Sequence, residues 1–305
     1  MSKEQQESQK SPQQKGIKEY AASFFWPITA TLDFLQRYFK GIILLLLILV
    51  LLSSIQTTSL APPNLMSIEL SGTILSAKKV LKQIQEAKDK NIKGVLFIVD
   101  SPGGAVAPSL EISLAIKRLN QKKPVLTYAA GTLASGAYYA SIWSREIIAN
   151  PGSAIGSIGV IFEAPNLKGL LDKVGVEPQV VKAGKYKEVG TPFRPWKDYE
   201  KKELAKVVYD TYDMFVHDVA KARGLDIKDK DKFAEAHIFT ARQAQKVGLI
   251  DKIGTIYEAK KELIRLAKVK KPIWKKRDPF EKFIEELSDQ TASKLTSLLL
   301  GLKLF

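Results

Sequence analysis

The sequence predicts an α/β protein built around a largely parallel sheet. Three observations carry this reading. After Pro62, short apolar runs alternate with segments of helical period. "GVLFIV" (94–99) is apolar throughout, as expected of a strand covered on both faces. Glycine- and proline-containing loops follow the apolar runs. No internal repeat is visible, so the fold occurs once.

Of the 305 residues, 45% are hydrophobic, enough for a sizeable core. The chain has no cysteine, which excludes disulfides, thiolate metal sites and a cysteine nucleophile. With only two histidines, His217 and His237, an all-histidine metal centre is not expected. The net charge is +15, and its densest source is "KVKKPIWKKR" (268–277), with six cations and no acid. Such a run suits nucleic acid or anionic lipid headgroups equally, or serves as a solvated linker.

Elements follow in order. Residues 1–40 carry six Lys/Arg against four Asp/Glu; their polar start predicts disorder, and 21–39 an interfacial segment. "GIILLLLILVLLSSIQTTSLA" (41–61) predicts a transmembrane anchor, with Arg37 and Lys40 keeping the N-terminus in the cytoplasm. A cleaved signal peptide competes, because "SLA" precedes Pro62. The long leader before the apolar stretch favours an uncleaved anchor. "LMSIEL" (65–70) predicts a strand and 77–91 a helix with Val80, Leu81, Ile84 and Ala87 inward. Strand 94–99 leads to a helix with Leu110, Leu114, Ile116 and Leu119. "PVLTYAA" (124–130) is a strand, followed by a helix from about Ser135. "EIIAN" (146–150), "SIGVIF" (157–162) and "PQVVKAG" (178–184) predict further strands. From Asp198 to Arg223 runs a long helix with Leu204, Val208, Tyr212, Phe215 and Val219 inward, closed by Gly224. The segment 271–305 reads as a basic linker and an amphipathic C-terminal stretch. That stretch could pack on a neighbour, lie on the membrane or enter the cleft.

In open parallel sheets, ligands bind beyond the carboxyl ends of the strands. Two loops stand there. "VDSPGG" (99–104) is either a tight strand-to-helix turn or a place where backbone N–H groups meet a ligand. "GTLASGAYYA" (131–140) carries one serine, Ser135, among small residues; it is either a helix N-cap or a nucleophile. A nucleophile needs a base. His217 and His237 read as structural, whereas Lys182, Lys185 and Lys187 cluster in "KAGKYKEVGTPFRPW" (182–196). A lysine serves as base once its neutral amine is populated.

Taken together, "VDSPGG", "TLASGAYYAS", "GSAIGSIGVI", "GKYKEVGTPFR" and "FTARQAQKVGLIDKIG" resemble, in this order, the signal peptide peptidases of the SppA type, in their single-copy form. The resemblance runs from about Leu65 to Ala259. It implies a ClpP/crotonase-like core of repeated β-β-α/βαβ units within a peptidase domain over 62–270. It also implies a serine peptidase with a Ser135/Lys187 dyad and Ser157 orienting the lysine. The oxyanion hole it implies is built from Gly103, Gly104 and Gly136. No cofactor and no metal are implied. The expected substrates are hydrophobic peptides such as signal peptide remnants. The expected setting is the inner cell membrane, with a single-pass anchor, an extracytoplasmic catalytic domain and no nucleic acid partner. Ring-shaped homo-oligomers with a dyad shared between copies are implied as well. The sequence departs from the family at "AHIFTARQA", where a Gly-Arg pair and a later Gly are usual. Two alternatives stand beside this reading: a catalytically silent membrane scaffold of the same fold, and a crotonase-like acyl-CoA enzyme.

Overall fold

The computed structural model describes residues 34, 36–49 and 61–276. The chain divides into two compact units, Met1–Ala61 and Pro62–Phe305. In the first, 36–49 is helical and its apolar side chains, Ile42 apart, are exposed. No helix among the described residues is long and apolar enough to cross a membrane. Residues 50–60 of the expected anchor, most of the cytoplasmic segment and the C-terminal stretch from 277 lie outside the described residues.

The second unit is a mixed α/β domain on a seven-stranded sheet. Strands β1 (Leu65–Ser71), β2 (Gly94–Ser101), β3 (Val125–Ala134) and β4 (Glu146–Ala149) run parallel in that order, and β7 (Lys252–Ile253) joins β4. β5 (Ala154–Gly156) pairs parallel with the far end of β3, and β6 (Ile238–Thr240) pairs antiparallel with β5. Helices α1 (Lys78–Glu86), α2 (Val106–Asn120) and α3 (Gly136–Ser141) connect the first strands. The sheet's two faces carry separate cores. One is built around Phe97, Ile112, Tyr138 and Phe215. The other packs Leu96 and Leu126 against Leu263 of α8 (Ile256–Leu266).

The outer edge of β1 is met at its start by the chain's own later segment. Asn64 N and Leu65 N donate to Ile273 O, and Lys275 N donates to Leu65 O, so 273–275 bridges in parallel at the edge. This pairs the outward backbone groups at the start of that edge.

Helix α5 spans Asp198–Arg223 and ends on Gly224 in the left-handed conformation, as the sequence predicts. The expected stripe faces inward: Leu204, Val208 and Tyr212 are half-buried and Phe215 and Val219 buried, with Val216 and Ala220 beside them, so the C-terminal half lies deepest on the core. On α2, Ser109 and Ser113 face inward and Leu114 is partly exposed. The small hydroxyls allow this helix to approach α3 closely.

Two expected strands are absent. At 157–162 the chain is not a strand: β5 stops at Gly156, and Ser157 turns outward at φ 49°. At 178–184 no neighbouring strand is available, and Val181 is fully exposed. The region 160–197 therefore forms an arm whose one helix, α4 (Lys168–Val174), buries no residue.

Candidate active site

The site is assembled at the carboxyl ends of β2 and β3. β2 ends in Ser101, which is fully buried; its hydroxyl donates to Gly72 O at 2.6 Å and accepts from Gly103 N at 3.2 Å. The loop is then fixed by a parallel bridge: Ile74 N donates to Gly103 O and Ala105 N donates to Ile74 O, both at 2.8 Å. Such a bridge uses the carbonyl before Gly104 and the amide after it. The N–H of Gly104 is left without an intramolecular acceptor among the described residues. Only glycines fit here. A Cβ at Gly103 would lie 2.7 Å from Gly136 N, and one at Gly104 would lie 2.3 Å from Ile74 O.

β3 runs on past β2, pairs with β5, and delivers Ser135. Ser135 N donates to Gly156 O at 2.8 Å, and its carbonyl accepts from Tyr139 N. Its backbone sits at φ 49°, ψ −124°, a region that non-glycine residues rarely occupy. Ser135 stands at the N-cap position of α3, as the sequence allows, but its hydroxyl makes no capping bond. Ser135 instead lines a cleft of about 580 Å³ with Gly103, Gly104 and Ser157. Val160, Ile161, Val208 and Tyr209 form apolar walls. Ser157, itself at φ 49°, is held by its N–H to His237 O at 2.7 Å.

The sequence did not point to Glu235. It lies in the cleft at φ 53°, with Tyr212 Oη donating to its carboxylate at 2.5 Å. Ala236 follows at φ 55°, so two successive non-glycine residues hold a left-handed turn.

Lys187 is not among the residues that line the cleft. It is exposed on the arm, in a turn where its N–H donates to Gly184 O at 3.3 Å. The turn is tied down by charge. Glu188 pairs with Lys182 at 2.6 Å and Arg194 at 3.0 Å, and Arg194 forks onto Glu200 at 2.7 and 2.8 Å. Arg194 and then the Lys197 N–H hold the Glu200 carboxyl down to about 2.

His217 is exposed and bonds within α5 to Asp213, and His237 stacks edge-on to Phe239. No cluster of three or more metal-ligating side chains occurs among the described residues. A second cavity, of about 570 Å³, lies away from Ser135 between β7 and α8. Its charged walls, Lys252, Glu262 and Arg265, are paired with one another.

Comparison with known proteins bears on this geometry. The profile of peptidase family S49 matches residues 117–270, which contain Ser135, Ser157 and Lys187. A protein of Methanocaldococcus jannaschii provisionally named a protease is 43% identical over 61% of this chain and 60% of its own length. One of Enterococcus faecium, provisionally named signal peptide peptidase SppA, is 39% identical over 57% of this chain and 50% of its own. The chain thus spans about half to three fifths of these two relatives. Among solved structures, a ClpP1 variant from Listeria monocytogenes superposes with a TM-score of 0.45 at 16% identity, covering 63% of this chain and 93% of that one. With half of its length matched by the family profile, the chain belongs to peptidase family S49, a family of serine peptidases.

Proposed function

We propose that this protein is a membrane-anchored endopeptidase that cleaves hydrophobic peptides, signal peptide remnants among them, with a Ser135/Lys187 dyad. The observation that carries the reading is Ser135 itself. Its strained backbone presents an uncapped hydroxyl to an apolar cleft, beside the unpaired N–H of Gly104 and the start of α3. Neutral Lys187 takes the Ser135 proton as Oγ attacks the peptide carbonyl. The N–H groups of Gly104 and Gly136 receive the oxyanion, and Gly103 leaves them room. Protonated Lys187 then passes its proton to the leaving amine, and water hydrolyses the acyl-enzyme.

Lys187 reaches Ser135 from a neighbouring copy in a ring. Two features support this. Lys187 is exposed within its own protomer, and the arm that bears it leaves Ile161, Phe162, Val176 and Val181 uncovered. In the assembly, burial against the next copy favours the neutral amine. Ser157, beside Ser135, accepts or donates to that amine. The anchor is 41–61, which puts the domain on the extracytoplasmic side.

The test mixes Ser135→Ala and Lys187→Ala chains, each inactive alone. Restored peptidase activity in verified mixed rings supports a shared dyad, and its absence there overturns the sharing. A fluorophosphonate label that persists in Ser135→Ala overturns Ser135 as nucleophile.

A further inference from the structure

One cationic region is left unused by this chemistry. In a parallel sheet all strands begin at one end, and here that end lies opposite Ser101 and Ser135. The residues that lead into β2, β3 and β4 include Lys93, Lys122 and Arg145. All three are exposed, and none has an ion-pair partner among the described residues. The basic run folds over the same end. Asn64 Nδ2 donates to Lys271 O and Asn64 Oδ1 accepts from Ile273 N, both at 2.8 Å, which holds Lys270, Lys271 and Lys276 beside the start of β1.

The neighbouring acids do not cancel this charge. Glu86 is answered by Lys275 at 2.7 Å, and Glu146 by Lys252 at 2.9 Å. Asp89 accepts from Asn91 N and faces Lys123.

We infer that this strand-start face of the peptidase domain binds the anionic headgroups of the membrane in which the chain is anchored. The inference rests on the proposed anchor. Its span ends at Ala61, and three residues of extended chain reach about 11 Å at most, so Asn64 stays close to the bilayer surface. That reach is comparable with the Debye length of about 8 Å, within which lysines sense anionic lipid. The tether also supplies lipid at high local concentration, which no free polyanion matches.

The absence of cysteine gives a clean test. Pro272→Cys in the full chain keeps every charge and accepts one fluorophore. The chain is placed in nanodiscs of phosphatidylcholine alone or with phosphatidylglycerol, with nitroxide on the lipid headgroups. Quenching is expected with phosphatidylglycerol at low salt and is expected to fade at high salt. Adding Lys270→Gln, Lys271→Gln and Lys276→Gln should weaken the interaction about 100-fold. Equal quenching in both lipids, or lipid dependence untouched by the triple substitution, overturns the inference while leaving the anchor standing. Release of the unlabelled chain from membranes by alkaline carbonate overturns the anchor itself.

Discussion

Tyr139 lies flat on Phe215, with ring centroids 4.4 Å apart and planes 8° from parallel, and its hydroxyl donates to Asp218 at 2.6 Å. This pair joins the helix that starts at Ser135 to α5. Burial first, and then the bond to Asp218, push the Tyr139 phenol above its usual range, so the bond persists at every physiological pH. Tyr139→Phe should cost about 1–3 kcal/mol, because the acceptor is charged. Phe215→Ala should cost about 3–5 kcal/mol. Urea midpoints at constant slope would measure both.

Ser135 is strained where it stands. Ser135→Gly should stabilise the fold by about 1 kcal/mol while abolishing peptidase activity. A midpoint equal to or below that of Ser135→Ala would count against stored strain at the nucleophile.

Gly104 is closed to any side chain. Gly104→Ala would drive a Cβ into the Ile74 carbonyl and break the bridge that aims the Gly104 N–H. The expected outcome is loss of about 1–3 kcal/mol, together with a fall in kcat larger than any change in KM. Thermal melting and steady-state kinetics read the two effects separately.

Ala236 holds a left-handed turn at φ 55°. Ala236→Gly trades strain of roughly 1–2 kcal/mol against the greater chain entropy of glycine, so a net gain of about 0.5 kcal/mol is expected. Differential scanning calorimetry should show a small rise in Tm.

The clamp on the arm is sensitive to acid. Glu200 titrates at about 2 when folded, below its ordinary value near 4.3, so its protection of the fold is complete above the latter. It is lost as pH falls from about 4.3 towards about 2. Hydrogen exchange of peptides covering 182–200 should accelerate across that window. Glu200→Gln should flatten this acid response. The separate contribution of Glu262, also held down to about 2 by Arg265 and Lys252, should persist.

Much of this architecture was legible because local pattern and tertiary role agree. β2 reads as a buried strand and is one, and α5 begins and ends where its acids and Gly224 place it. The failures have physical causes. Apolar content at 157–162 and 178–184 suggested strands, yet 178–184 has no neighbouring strand, and at 157–158 the chain bonds only to the turn at 236–237, where positive φ at Ser157 and Ala236 ends the ladder. Leu114 looked inward by residue type, but close packing on α3 selected Ser109 and Ser113 instead. Ser135 and Ser157 were visible as motif positions, and the fold brings them into one cleft. Glu235 was hidden because it enters the cleft through a backbone conformation, which residue type and spacing do not encode.

The bridging of Ile273–Lys275 onto β1 has a bearing on biogenesis. The first strand to leave the ribosome is the last to gain its outer neighbour, because that neighbour is made some two hundred residues later. Until then the nascent domain carries a bare flank able to pair with other chains. Wherever synthesis takes place, growing chains held close together would be the ones most prone to stick.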